Sequence, residues 1–129
     1  MIDLDYFKRF NDTHGHQIGD ALLRALGQFL QKRMREEDIA CRYGGEEFVL
    51  ILPETPLDAL QKRAGQLREM VKQVRALDSG ESSEEITLSL GIASFPEHGA
   101  TVLTLLQAAD VALYRAKNEG RDRVVLAQL

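Results

Sequence analysis

Two carboxylate clusters stand where strand-like runs end. Asp3-Leu4-Asp5 closes the first run, and Glu46-Glu47 follows Gly44-Gly45 directly. Adjacent acids at a glycine hairpin repel each other, and the turn gives no apolar burial in return. A divalent cation would relieve that repulsion. Hard cations such as Mg²⁺ take oxygen ligands, usually one or two carboxylates completed by substrate phosphates. If the strand carrying Asp3 lies beside the hairpin, Asp3 and Glu46 can share such an ion. Either acidic pair taken alone reads as well as a solvated turn.

Composition sets the frame for these residues. The chain has 129 residues, 44% of them apolar and 28% charged. That suits one soluble domain, which can hide roughly two-thirds of its unfolded surface without staples. Sixteen basic against 20 acidic residues leave a net charge of −4. Nucleic-acid-coating domains are usually strongly basic, so no nucleic-acid partner is expected. One cysteine, Cys41, excludes an internal disulfide or a multi-cysteine metal site. It sits in a strand-like run and reads as core. No apolar run approaches a membrane span, and Met1–Asp5 does not read as a signal peptide, so a cytoplasmic location is expected.

The elements that must position the acids follow from periodicity. Ile2 to Leu4 reads as the end of a short strand. Asn11 to Gly19, with Gly15 and several polar residues, reads as beginning in a turn or loop. From Asp20, Leu22, Leu23, Leu26, Phe29, Leu30 and Met34 recur at helical spacing. Ile39–Tyr43 and Phe48–Leu52 read as strands around the Gly44-Gly45 hairpin. Leu57, Leu60, Ala64, Leu67, Val71 and Val74 mark an amphipathic helix. Asp78–Glu85 reads as an exposed loop, and Ile86 to Ile92 alternates as a strand with one buried face. Thr101 is placed to cap a helix running to Gly120, and Arg123–Ala127 is a last short strand. This order predicts an α+β fold, a mixed or antiparallel sheet with helices on its faces.

Gly44-Gly45-Glu46-Glu47-Phe48 resembles the signature of GGDEF domains, the diguanylate cyclases, in its GGEEF form. The surroundings agree with it. Asp3-Leu4-Asp5-Tyr6-Phe7-Lys8 with Asn11-Asp12 resembles the family's DxDxFKxxND stretch. Gly15-His16, Gly19-Asp20 and Arg42-Tyr43 fall at the family's spacing. Ser89-Leu90-Gly91-Ile92-Ala93 resembles its later strand. Ala108 to Tyr114, Ala116-Lys117 and Gly120-Arg121-Asp122 resemble its last helix and exit. The resemblance spans essentially the whole chain. It implies a palm-like fold, of the ferredoxin-like nucleotide-cyclase type, with a central mixed sheet. It also implies synthesis of cyclic di-GMP from two GTP molecules.

The resemblance assigns roles residue by residue. Asp3, Glu46 and Glu47 would contact metal, Mg²⁺ or Mn²⁺ with two ions per GTP, and the Leu4 carbonyl would be a further ligand. Glu47 would help activate the attacking 3′-hydroxyl. Two divalent ions can polarise a phosphoryl oxygen and stabilise an alkoxide in an in-line displacement. Gly44 and Gly45 would let the backbone approach the nucleotide. Asn11 and Asp20 would read guanine, since a carboxylate accepts from both N1–H and the 2-amino group. Read without the family, Asp20 is a helix cap. Backbone N–H groups of Tyr6, Phe7 and Lys8 would hold the terminal phosphates, and Lys117 and Arg121 would contact phosphate. Read alone, these two cations are a solvated helix end.

Arg35-Glu36-Glu37-Asp38 stands at the register of the family's inhibitory RxxD site, which binds the product. Arginine can fork onto phosphate or guanine, and Asp38 can accept from guanine. Arg63 and Arg68 are equal candidates for a further arginine there. Read alone, the motif is a charged helix end. The chain also departs from the pattern, because family domains begin upstream with a further turn and helix. Residues 1–129 are therefore read as one GGDEF catalytic domain lacking the first helix and part of the first strand. Catalysis is expected across a homodimer, each copy holding one GTP, and an upstream sensory domain is expected in the full-length protein. The alternative is a catalytically silent GGDEF module that senses GTP or cyclic di-GMP.

Overall fold

The computed structural model describes residues 1–75 and 85–129. The elements in chain order are β1 (Ile2–Leu4), α1 (Phe7–His14), α2 (His16–Lys32), β2 (Ile39–Gly44), β3 (Glu47–Ile51), α3 (Leu57–Met70), β4 (Leu88–Ile92), α4 (Val102–Asn118) and β5 (Arg123–Leu126). A single 3₁₀ turn, Val71–Gln73, extends α3. The strands form one sheet in the order β2-β3-β1-β4-β5. All neighbours are antiparallel except β4 and β5, which are parallel. The mixed α+β sheet expected from the periodicities is thus observed.

Strand alternation divides the sheet into two faces. Ile2, Leu4, Phe48, Leu88, Leu90 and Ile92 pack with Leu22, Leu26 and Leu30 of α2 and Ala64 and Leu67 of α3. Ala112 and Ala116 of α4 pack with Val125 and Ala127 in a smaller cluster. Gly91 explains how closely α4 approaches. A Cβ at Gly91 would collide with the Ala109 carbonyl and the Leu113 amide. The small residues of α4 and this glycine let backbone meet backbone, which carries the end of α4 to the Asp3 end of the sheet. Thr101 caps α4 as expected, in a reciprocal box with Thr104.

Four readings are corrected. Asn11–Gly19 is mostly helical: α1 runs to His14, only Gly15 interrupts (φ 88°), and α2 starts at His16. The polar residues that suggested a loop lie along a short helix whose Phe10 is buried. Asp20 therefore lies inside α2 and caps nothing, the N-cap position being Gly15. Cys41 is exposed rather than core, because β2 is the outer strand and has a sheet neighbour on one side only. The last strand pair is shorter than read, with β4 beginning at Leu88 although Ile86 is buried. Apart from Glu85, the expected loop Asp78–Glu85 lies outside the described residues.

Candidate functional site

One cross-sheet row gathers the candidate carboxylates. Gly44 pairs with Glu47, Glu47 with Asp3, Asp3 with Ser89, and Ser89 with Arg123. The row lies on the sheet face opposite Ile2, Leu4 and Phe48. The hairpin is tied to β1 by a hydrogen bond from the Leu4 amide to the Glu46 carbonyl, 3.3 Å. Arg42 Nε donates to the Gly45 carbonyl at 2.9 Å across a register shift between Arg42 and Gly44. These contacts bring Asp3, the Leu4 backbone, Glu46 and Glu47 to one end of the sheet.

Asp3 is buried, and Lys117 Nζ of α4 meets its carboxylate at 2.6 Å. Its pKa is nevertheless raised to about 6. Burial is the largest cause; the Lys117 contact pulls the other way, and the charges of Glu46 and Glu47 add to the rise. One ammonium does not fully offset this group of acids.

Asp5, two residues on, has a different task. Its carboxylate accepts from Thr87 Oγ1 (2.7 Å), Ser89 Oγ (2.6 Å) and the Asp122 amide (3.0 Å). Asp122 in turn pairs with Arg68 (2.8 Å) and Lys72 (3.5 Å). Asp5 thus joins the end of β1 to β4 and to the turn before β5. Sequence reasoning missed this scaffold, because its partners lie more than 80 residues away in the chain.

Tyr6 precedes α1 in the left-handed region, φ 58°. The first-turn amides of any helix lack intrahelical carbonyl partners, so the Tyr6–Lys8 stretch presents N–H groups beside the carboxylate row. The turn after α4 places Arg121 nearby, with the Arg121 amide bonded to the Ala116 carbonyl at 2.9 Å. Arg9 also points to Tyr6, a residue no sequence motif had singled out.

Asn11 and Gly19 are matched to each other. A Cβ at Gly19 would collide with Asn11 Oδ1, which is buried without a hydrogen-bond partner. A buried unpaired acceptor is costly unless a ligand completes it. Asp20 is exposed at the mouth of a groove of about 630 Å³ between α2 and the β2–β3 hairpin. Leu23, Arg24, Gly27, Arg42 and Phe48 help line it. A larger cavity of about 700 Å³ lies at the far end of the sheet beside Met1, lined mainly by aliphatic residues such as Ile51, Leu90, Ile92 and Leu105.

The RxxD residues form a closed cluster at the start of β2. Arg35 Nη2 pairs with Asp38 Oδ1 at 3.1 Å, and Arg63 Nη1 of α3 pairs with Asp38 Oδ2 at 3.0 Å. Arg35 also donates from its amide to Asp38 Oδ2 (2.9 Å) and from Nη2 to Thr55 Oγ1 (2.8 Å). Burial pushes the Asp38 carboxyl up, but these hydrogen bonds outweigh it and hold the pKa at about 2. Of the two candidate arginines, Arg63 joins the cluster and Arg68 turns to Asp122 instead.

Among the described residues no group of three or more His, Cys, Asp or Glu side chains converges as a ready-made metal cage. The donor set is instead two or three carboxylates and a backbone carbonyl. That fits Mg²⁺, which takes few protein ligands and completes its shell with phosphates and water. The upward shift of Asp3 beside Glu46 and Glu47 agrees with a place where added positive charge is favourable.

The family model described as "Diguanylate cyclase, GGDEF domain" matches residues 1–123. The response regulator PleD of Caulobacter vibrioides is 40% identical over 126 residues, covering 97% of this chain and 28% of that protein. Diguanylate cyclase DgcM of Escherichia coli is 43% identical over 127 residues, covering 98% of this chain and 30% of that protein. The chain therefore spans less than a third of either. The GGDEF domain of DgcB from Caulobacter crescentus, solved in complex with c-di-GMP, superposes with a TM-score of 0.86 at 36% identity, covering 97% of this chain and 74% of that one. With its carboxylate row, GGEEF hairpin and palm-like sheet, the chain belongs to the GGDEF family of diguanylate cyclase domains.

Proposed function

We propose that this domain condenses two GTP molecules into cyclic di-GMP and two pyrophosphates. The observation that carries the reading is the meeting of Asp3, the Leu4 backbone, Glu46 and Glu47 at one sheet end with the amino end of α1 and Lys117. Asp3, Glu46, Glu47 and the Leu4 carbonyl would hold Mg²⁺ or Mn²⁺. Bound there, such ions polarise the α-phosphate and stabilise the attacking oxygen.

The chain's own residues supply the rest. The amides of Tyr6, Phe7 and Lys8 hold the terminal phosphates, joined by Arg121. Lys117 turns from Asp3 to phosphate when GTP enters. Asn11 and Asp20 accept from the guanine edge, and the unpaired Asn11 Oδ1 supports that role. Gly44 and Gly45 leave room for the nucleotide. Two copies face each other, and each 3′-oxygen bonds to the α-phosphorus of the other GTP. The α–β phosphoanhydride bond breaks, and pyrophosphate leaves with the electron pair. Glu47 accepts the 3′-hydroxyl proton.

Arg35, Asp38 and Arg63 form the product-binding inhibitory site in this reading. The paired cluster around buried Asp38 supports it, as does a structural neighbour described in complex with c-di-GMP. That same cluster favours the second reading, a silent module that senses cyclic di-GMP. Residues 1–129 are read as one GGDEF catalytic domain. An upstream sensory domain and a cytoplasmic setting complete the proposal. No described helix is long and apolar enough to cross a membrane.

The test is incubation of the purified chain with GTP and Mg²⁺, chromatography for cyclic di-GMP, and a Glu47→Ala control. Product from the first and none from the second is expected. No product from the chain, together with tight binding of cyclic di-GMP, would select the sensor reading.

A further inference from the structure

The side chain of Tyr6 collects two cations. The Arg9 guanidinium carbon lies 4.5 Å from the ring centroid and that of Arg121 lies 4.9 Å from it. Among the described residues neither guanidinium has a carboxylate partner. Two like charges gathered at one ring repel each other. The negative face of an aromatic ring attracts guanidinium and so offsets that repulsion.

The contact is built by two backbone positions that are unusual for side-chain-bearing residues. Tyr6 has φ 58° and Arg121 has φ 60°, and Gly120 and Asp122 beside Arg121 are also in positive φ. Such residues persist only where surrounding contacts determine them. Here Asp5 supplies those contacts for both. Its amide donates to the Thr87 carbonyl at 3.0 Å, and its carboxylate accepts the Asp122 amide at 3.0 Å. One buried carboxylate thus fixes the residue after it and the turn after α4, and the ring and the guanidinium meet between them.

We propose that the Tyr6 ring is a positioning residue for the triphosphate. It holds Arg121, and with it Arg9, beside the amino end of α1, so that both guanidiniums face phosphate before substrate arrives. This rests on the reading of that end of the molecule as the GTP phosphate site. It adds Arg9 to the phosphate-facing cations and gives the Tyr6 side chain a part beyond that of its amide.

The test is binding to the intact chain, with Ca²⁺ replacing Mg²⁺ to prevent turnover. GTP is followed by calorimetry and guanosine by NMR shift titration. Leu and Phe carry the same backbone cost at φ 58°, so Tyr6→Leu and Tyr6→Phe differ in the ring alone. Removing a ring that serves two guanidiniums, of exposed Arg9 and half-buried Arg121, should weaken GTP binding by about three- to tenfold. Tyr6→Leu is expected to show that loss with guanosine binding unchanged, while Tyr6→Phe restores it. In an Arg121→Ala background the Tyr6→Leu loss should shrink to less than about half, since coupled residues are non-additive.

Equal GTP affinity for the Leu and Phe variants would overturn the inference. So would equal losses for GTP and guanosine, which would make the ring a support of the fold, or full additivity with Arg121→Ala. If the wild-type chain melts cooperatively yet binds no GTP, the reading of the site falls, and this inference falls with it.

Discussion

Asp3 and Asp38 are both buried aspartates, and they sit at opposite ends of the same part of the sheet. Asp38 adjoins the start of β2, whereas Asp3 pairs across from the hairpin tip where β2 ends. The strand between them spans roughly 17 Å at the usual rise per residue. Asp38 has two arginines and a backbone amide, and its pKa falls to about 2. Asp3 has one lysine and two acidic neighbours, and its pKa rises to about 6. Burial raises both. The difference lies in how many donors the fold supplies, and it teaches which carboxylate is finished and which is held ready. A saturated aspartate has little need of a metal, whereas an undersaturated one gains from any cation that arrives.

The largest effect that would break this contrast is on turnover. Asp3→Asn should lower cyclic di-GMP formation at least about a hundredfold, in line with losing a group that positions catalytic metal and charge. Asp38→Asn should leave initial turnover near that of the parent and remove inhibition by added cyclic di-GMP. Initial-rate assays with and without product check both. Equal losses in the two variants would erase the distinction.

Next comes guanine selection. Gly19→Ala pushes the Asn11 side chain away, so GTP discrimination over ATP should fall by about tenfold, read from competition binding. This change leaves both aspartates untouched and asks whether the Asn11 contact is independent of them.

Stability follows. Asp38→Asn should lower the melting temperature by about 5 °C, since a buried charge-assisted network loses its centre. Arg68→Ala, at the half-buried Asp122 cluster, should cost less, since Asp122 keeps Lys72.

The smallest effect is a pH slope, and its sign differs between the two aspartates. Asp38 has a depressed pKa, so its contribution is present above the unfolded value of 3.8 and is lost as pH falls toward about 2. Asp3 has a raised pKa. Between 3.8 and about 6 the folded state holds the extra proton, so its contribution to stability falls as pH rises through that window. Melting curves of the parent and Asp3→Asn between pH 4 and pH 6.5 should diverge in that direction, and a parallel pair would contradict the assignment.

Much of the fold was legible because burial imposes a period. Leu22, Leu26, Phe29 and Leu30 repeat on one helix face, and Ile2, Leu4, Leu88 and Leu90 alternate on one sheet face. Where polarity was used instead, the reading failed. Asn11–His14 forms a helix because Phe10 has a core to reach, which local composition does not reveal. Cys41 is exposed because β2 is the outer strand, and strand order is a non-local property. In the candidate site, the family resemblance singled out Asp3, Glu46, Glu47, Asn11 and Asp20, whereas the bracing part of Asp5 depends on partners more than 80 residues away.

The sequence by itself determined the family, the order of the elements apart from α1, and which acids stand at strand ends, because those depend on neighbouring residues and on spacing. Tertiary structure alone decided that Asp5 braces β1 to β4 while Asp3 pairs with Lys117, that Arg63 rather than Arg68 closes on Asp38, and that Tyr6 meets Arg121. Each of these is a contact between residues far apart in the chain, set by strand order and by how closely α4 packs against Gly91. Hydrogen bonds and ion pairs act over a few ångströms, so only the folded chain can say which charges come within reach of one another.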